Sequence, residues 1–152
     1  MDLGTVVPAV IGAAAALATS AGEKILSRYF DKSTKRELHR DEDLKVLERV
    51  TFEIRDLATA YWSAPVNVGS DDVVAGSIVG RLTFISALVD ELFRDKLNLL
   101  REIHVAMNRF DVSCTDGEFG GKARVADPGR CRQIEITAYT LVHRANTLRR
   151  LL

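Results

Sequence analysis

The chain has 152 residues, of which 47% are hydrophobic and 28% are charged, so it can bury a core and does not have the composition of a disordered protein. Its 21 basic and 21 acidic residues cancel, which excludes a general electrostatic attraction to nucleic acid or to an anionic membrane. Two cysteines, Cys114 and Cys131, are too few for a disulfide framework, and we expect reduced thiols.

The first feature along the chain is an uncharged run over residues 3–22, which is long enough to cross a bilayer as one helix. Alanine, glycine, serine and threonine outnumber leucine, isoleucine and valine in it, so a solitary helix would gain little free energy in lipid. Small side chains at spacings of three and four form a smooth face on which helices approach closely. We therefore predict a membrane-spanning or interface helix within residues 1–30. Its predicted contact residues are Ala9, Gly12, Ala13 and Ala16.

The charges that flank this run predict its orientation. Six lysines and arginines lie between residues 24 and 40, and none precedes the run. The positive-inside rule then places the rest of the chain in the cytoplasm, attached to the inner (cytoplasmic) membrane. A secretory signal peptide is disfavoured because the basic region that should precede its apolar core is missing. A wholly cytoplasmic protein, with residues 3–22 buried in an oligomer interface, is the alternative.

A second helix is predicted from a start within residues 35–41 to about Trp62. Its apolar side chains recur at alternating steps of three and four, which is typical of one buried helix face. The sequence Ser63, Ala64, Pro65 follows and ends the helix. The predicted face consists of Leu44, Leu47, Val50, Ile54, Leu57 and Tyr61.

A third, long helix is predicted to begin at Ser70, whose hydroxyl would cap free backbone N–H groups. Asp71 and Asp72 follow and complement the positive end of the helix. The apolar stripe continues almost to Phe110, with a kink or a short break around residues 95–98.

Two glycines, Gly76 and Gly80, lie four residues apart inside this helix. A glycine in a helix costs on the order of 1 kcal/mol relative to alanine. We therefore predict that both glycines pack closely against a neighbouring helix, as a second contact between helices or between copies of the chain.

The remaining segment reads as a loop followed by a helix. Residues 111–127 lose the helical period and contain three glycines, which predicts a surface loop. Asp127 followed by Pro128 is typical of a helix start, and the last helix is predicted to run to about Leu151. The predicted fold is therefore all-α, with an N-terminal helix followed by an antiparallel helical bundle over residues 31–152.

No catalytic motif is recognised. Residues 117–123 resemble a phosphate-binding loop, but Asp116 stands where its first glycine belongs and Ala123 where its serine or threonine belongs. The zinc-hydrolase and serine-hydrolase motifs are absent, as is the usual arginine–histidine spacing of HEPN-type ribonucleases. We predict no enzyme activity, no metal and no cofactor. The spacing of His104 and Asn108 allows a polar pair one helical turn apart, but we favour a partly buried packing role for His104.

The final third of the chain is locally basic and would offer contacts to the phosphates of nucleic acid or of lipid headgroups. A solvated helix face is the simpler alternative. The predicted anion-contact residues are Arg124, Arg130, Arg132, His143 and Arg144.

In layout, an N-terminal membrane helix before a cytoplasmic helical bundle resembles small accessory or effector proteins of prokaryotic antiviral systems, including membrane pore formers linked to CRISPR. The resemblance covers the outline of the chain, rests on no diagnostic residue and therefore implies no site. It implies a membrane-associated protein that acts by assembling into a homo-oligomer, with a pore as one outcome and a protein partner as another. A soluble oligomeric interaction protein and a degenerate HEPN-like RNA-binding or nuclease protein are the alternatives.

Overall fold

The structure is a computed structural model that describes residues 38–67 and 70–152. These ranges contain four helices and no strand, which confirms the predicted all-α class. Helix α1 covers residues 38–63 of the described part, and α2, α3 and α4 span Asp71–Phe93, Leu97–Thr115 and Pro128–Arg149. The N-terminal contact residues Ala9, Gly12, Ala13 and Ala16 lie outside the described residues.

Buried side chains from all four helices belong to one hydrophobic cluster. The predicted face of α1 supplies Leu47 and Ile54, and the stripe along α2 supplies Ile78 and Ile85. Helix α3 packs on both α2 and α4, so its apolar side chains are shared between two interfaces. Among the described residues, the largest fully buried side chains include Phe93, Phe110, Ile103, Ile134 and Leu141.

The helix ends follow local sequence signals closely. Helix α1 ends at residue 63, two residues before Pro65, because proline disfavours a helical conformation in the residue that precedes it. The predicted break near residues 95–98 is confirmed, since α2 ends at Phe93 and α3 begins at Leu97. The N–H of Lys96 donates to the carbonyl of Phe93 and closes this turn at 2.9 Å.

The two predicted caps have different outcomes. Asp127 caps α4 as predicted, because its carboxylate accepts from the backbone N–H of Arg130 at 2.9 Å and Pro128 occupies the first turn. Ser70 makes no side-chain cap on α2, since its hydroxyl donates to the carbonyl of Asn67 instead. The acidic first turn of α2 still complements the positive end of that helix.

The loop predicted over residues 111–127 is shorter than expected, because α3 continues to Thr115. Burial of Ser113 and Cys114 holds this last turn in the helix, and the Thr115 hydroxyl donates to the carbonyl of Asp111 at 2.9 Å. Gly117, with a φ of 69°, takes the left-handed conformation that favours glycine after a helix end. The loop between α3 and α4 therefore covers residues 116–127.

Gly76 and Gly80 are exposed, and apart from the nearby backbone of α2 itself no atom of the described residues lies within 4 Å of a Cβ built on either of them. The close packing predicted for both glycines is therefore not provided by the described part of this chain. A side chain at either position would meet open space among the residues that the structure describes.

Because a Cβ at Gly80 meets no neighbour among the described residues, replacing this glycine with alanine should stabilise the chain. Gly80→Ala should raise the free energy of unfolding by about 0.5–1 kcal/mol, because alanine loses less backbone entropy in a helix. Urea denaturation at a protein concentration low enough to keep the chain monomeric measures the change. Gly117→Ala is the control and should lower stability, because its φ of 69° is left-handed and Arg130 lies 3.1 Å from the added Cβ. A loss of stability in Gly80→Ala at that dilution would contradict the prediction.

Candidate functional site

The most distinctive surface is the solvent-facing side of α2, here called the α2 outer face. Its residues are exposed, uncharged and spaced as one helix face, on the side opposite the buried stripe. Phe84 and Val73 expose 49% and 73% of their area, so the face carries large apolar groups as well as small ones. It consists of Val73, Gly76, Val79, Gly80, Thr83, Phe84 and Ala87.

The charged residues of α2 lie at or beyond the margins of this face. Asp72 precedes it and Asp90 follows it. Arg81 lies between them in sequence, but its guanidinium donates to the Ser77 hydroxyl and, at 3.3 Å, to the Glu53 carboxylate of α1. The α2 outer face is therefore uncharged over most of the helix.

Helix α2 is also apolar as a whole. It has 23 residues and a stretch of mean hydropathy 1.6, of which 28% is buried. By length and composition alone it could cross a membrane, a test that the core helices of soluble proteins also meet. Its apolar side chains are divided between the core and the surface. The buried ones are Ile78, Leu82, Ile85, Val89, Leu92 and Phe93, whereas Val73, Val79 and Phe84 are exposed.

A groove of about 660 Å³, lined by polar and apolar side chains alike, lies between α2 and α3. His104 is partly buried, and its Nε2 lies 2.8 Å from the Asp90 carboxylate across the groove, so it does not form the alternative pair with Asn108. Both side chains are about half exposed, and such surface pairs contribute well under 1 kcal/mol. In the described ranges no hydroxyl or thiol is hydrogen-bonded to His104, and no cluster of three or more metal-ligating side chains is found. What the described residues place in this groove is an exposed His104–Asp90 pair.

The prediction that Arg124 contacts an anion is wrong, because its side chain is buried and holds the fold together. Its side chain is only 1% exposed. Its Nη1 donates to the carbonyls of Tyr61 and Ala64, and its Nη2 lies 2.6 Å from the carboxylate of Asp71. The guanidinium also stacks on the Tyr61 ring at 3.9 Å. With these contacts made, the side chain presents no accessible face to a phosphate.

Arg124 joins three elements, namely the loop over residues 116–127, the C-terminal end of α1 and the N-terminus of α2. The backbone of the loop supports the same junction, because the N–H of Asp127 donates to the carbonyl of Trp62 at 2.8 Å. The N–H of Asn67 and the Arg124 guanidinium both donate to Asp71 and lower the pKa of its carboxyl group. A charged Asp71 therefore stabilises the folded chain.

Trp62 is a central residue of this junction that the sequence analysis did not identify. Its indole N–H donates to the carbonyl of Cys114 at 2.8 Å, and its side chain is almost fully buried. The Arg130 guanidinium lies 4.2 Å from the Trp62 ring and also donates to the carbonyl of Asp116. Arg130 therefore has mainly structural contacts, although it keeps some exposure.

Arg132, His143 and Arg144 are exposed, and the structure places the last two in a groove of about 380 Å³ between α3 and α4. Arg109 of α3, which the sequence analysis did not select, lines the same groove. The Arg144 guanidinium is bound by the Glu102 carboxylate at 2.5 Å. Helix–helix packing thus brings together basic groups that are far apart in sequence.

Both cysteines are free thiols, in agreement with the sequence prediction. Burial raises the pKa of the Cys114 thiol to about 12, so this group stays protonated at neutral pH. Burial also raises the pKa of Cys131, whose thiol lies 3.6 Å from the carbonyl of Thr59. Neither thiol has the lowered pKa of a reactive cysteine.

Comparison with known proteins gives no relative: no protein-family model, no curated protein and no solved structure matches this chain.

Proposed function

We propose that this protein is a non-catalytic helical protein that self-assembles at a membrane, and that the α2 outer face is its assembly surface. In this proposal residues 1–30 form the membrane helix, and residues 31–152 form an antiparallel bundle on the cytoplasmic side. The observation that carries the proposal is the exposed, uncharged and glycine-containing side of α2.

The physical argument starts from the free energy of an uncovered apolar surface. Contiguous apolar patches on a protein surface mark sites of interaction, because covering them removes apolar area from water. The α2 outer face combines Phe84 and Val73 with two glycines that lack neighbours in the described ranges. Each glycine also lowers the intrinsic stability of α2. A partner helix that approaches closely over the glycines would offset that cost.

A second copy of the chain is the occupant that fits this face. Gly76 and Phe84 each lie four residues from Gly80, on opposite sides. An antiparallel pair of α2 helices, related by a two-fold axis at Gly80, would place Phe84 of each copy over Gly76 of the other. The partner helix must itself be uncharged along its contact side, which a second α2 outer face satisfies.

Sedimentation of the full chain in detergent tests the assembly surface. The parent protein should sediment as a species larger than one chain. Phe84→Asp should weaken association by at least about 30-fold, since burying an unpaired carboxylate at the centre of an interface costs about 2 kcal/mol or more. Val112→Asp is the matched control, because Val112 on α3 is 47% exposed against 49% for Phe84 and lies outside the α2 outer face.

Two outcomes of this experiment would contradict the assembly surface. One is a parent protein that stays monomeric at high concentration. The other is an equal loss of association in Phe84→Asp and Val112→Asp, which would show that any exposed apolar residue matters equally.

Cell fractionation tests the membrane part of the proposal separately. We expect the full chain to sediment with membranes and to need detergent for release. Recovery of assembled protein in the high-speed supernatant without detergent would support the soluble interaction protein instead. If enough copies form a ring, expression should also depolarise the membrane, and an intact potential at high expression would exclude a pore.

A further inference from the structure

The groove between α3 and α4 is lined by three basic side chains, those of Arg109, His143 and Arg144. Arg109 and His143 both line it, and neither side chain has a hydrogen-bonding or ionic partner in the described part of the chain. Arg144 lines it as well and is oriented by the carboxylate of Glu102. With Glu102 neutralised by Arg144, Arg109 gives the groove a net positive charge at neutral pH.

Aliphatic side chains lie among these basic groups. Val105 lines the groove and is 55% exposed. Ile136 on α4 is 53% exposed and precedes the groove residue Thr140 by four positions, so it lies one helical turn away on the same side. Amphipathic surfaces bind anionic membranes by combining the attraction of basic groups with the burial of nearby apolar ones.

We propose that this α3–α4 groove binds the phosphate group of an anionic lipid at the membrane surface. Arg109 donates to the phosphate oxygens, Arg144 contributes through the side of its guanidinium that Glu102 leaves open, and Val105 and Ile136 enter the headgroup layer. The inference goes beyond the proposed assembly role, because it concerns a different surface and either can fail without the other.

The composition of the groove favours lipid over single-stranded nucleic acid. Base recognition in single strands depends on aromatic side chains that stack on the bases. Among the described residues, no phenylalanine, tyrosine or tryptophan lines this groove, and His143 is its one ring. The exposed Tyr139 of α4 lies against Phe52 and Arg55 of α1, with ring centroids 5.2 Å apart in the Phe52–Tyr139 pair.

Vesicle co-sedimentation of the full chain tests the inference. The probes are vesicles of phosphatidylcholine alone and vesicles that also contain phosphatidylglycerol. The parent protein should prefer the anionic vesicles, and Arg109→Gln should reduce that preference about five-fold, the effect of one arginine near an anionic surface. Arg109→Lys keeps the charge and should retain most of the preference. The N-terminal apolar run is present in every sample, so its contribution cancels in the comparison.

Arg49→Gln is the matched control, because it removes the same charge from an exposed position on α1. An equal loss in Arg49→Gln and Arg109→Gln would overturn the inference by showing a dependence on net charge alone. Equal binding of the parent to both kinds of vesicle would also overturn it. So would loss of single-stranded RNA binding in Arg109→Gln with unchanged vesicle binding, which would assign the groove to nucleic acid. Loss of the vesicle preference on addition of inorganic phosphate at low millimolar concentration would assign it to the free anion.

Discussion

Replacing Arg124 with methionine should lower the free energy of unfolding by about 3 kcal/mol, the lower end of the range for breaking a buried ion pair. The lower end applies because Asp71 keeps 17% of its side-chain exposure and can be partly hydrated. The variant also leaves the carbonyls of Tyr61 and Ala64 without their donor. Urea denaturation followed by the fluorescence of Trp62, the one tryptophan of the chain, measures the loss.

Arg130→Met is the matched control for Arg124→Met. Arg130 likewise stacks on an aromatic ring, that of Trp62, but its side chain is 20% exposed against 1% for Arg124. We expect it to cost about 1 kcal/mol. The prediction is wrong if the two variants lose the same free energy of unfolding, or if Arg124→Met loses less than about 1 kcal/mol. Either result would show that the buried Arg124 contacts do not hold the loop over residues 116–127 in place.

The same junction predicts a pH dependence. The folded-state pKa of Asp71 lies below its unfolded value of about 3.9, so its contribution to stability is complete above that value. The contribution is lost as the pH falls through the lower, folded-state pKa. Because Arg124 is one cause of that lowered pKa, the stability of Arg124→Met should fall less steeply with acid than that of the parent. Denaturation midpoints between neutral pH and pH values below 4 provide the comparison.

Replacing Phe110 with alanine should lower the free energy of unfolding by about 3–5 kcal/mol. Phe110 has no exposed area and lies on α3, the helix that packs on both α2 and α4. Removing its ring leaves a cavity in the shared core that neighbouring side chains fill only in part. The measurement is again urea denaturation with Trp62 as the reporter.

Phe84→Ala is the matched control, since it removes the same ring from the α2 outer face. In the monomeric chain it should cost less than about 1 kcal/mol, because Phe84 is half exposed and leaves no cavity. As the protein concentration rises and chains associate, the cost of Phe84→Ala should increase, whereas that of Phe110→Ala should not. If Phe84→Ala and Phe110→Ala lose the same free energy of unfolding at high dilution, the prediction that burial sets the cost is wrong.

Local signals in the sequence predicted the helical elements well. The three- and four-residue spacing around Leu47 and Ile54 predicted the buried face of α1, and Pro65 predicted its end. Asp127 and Pro128 predicted the start of α4 with its cap. Each of these features depends on residues within one or two helical turns, so the information is contained in a short stretch of sequence.

Local signals were misleading at the C-terminal end of α3, where the same residues are compatible with a loop or with a helix. Residues 111–115 were predicted as loop because the glycines after them interrupt the helical period, yet they form the last turn of α3. Burial of Ser113 and Cys114 stabilises that turn, and the Ser113 hydroxyl lies 2.8 Å from the hydroxyl of Thr137 on α4. This contact joins α3 to α4, so no sequence pattern within residues 111–115 could have predicted it.

The sequence by itself therefore determined the all-α class, most of the helix ends and the absence of a recognised catalytic motif. The tertiary structure decided which polar groups are available: it buries Arg124 against Asp71, pairs His104 with Asp90 and brings Arg109 beside His143. It also leaves the glycine side of α2 uncovered within the described residues. The reason is that helix periodicity fixes which residues share one face, whereas the neighbour that covers a face depends on packing between segments distant in sequence.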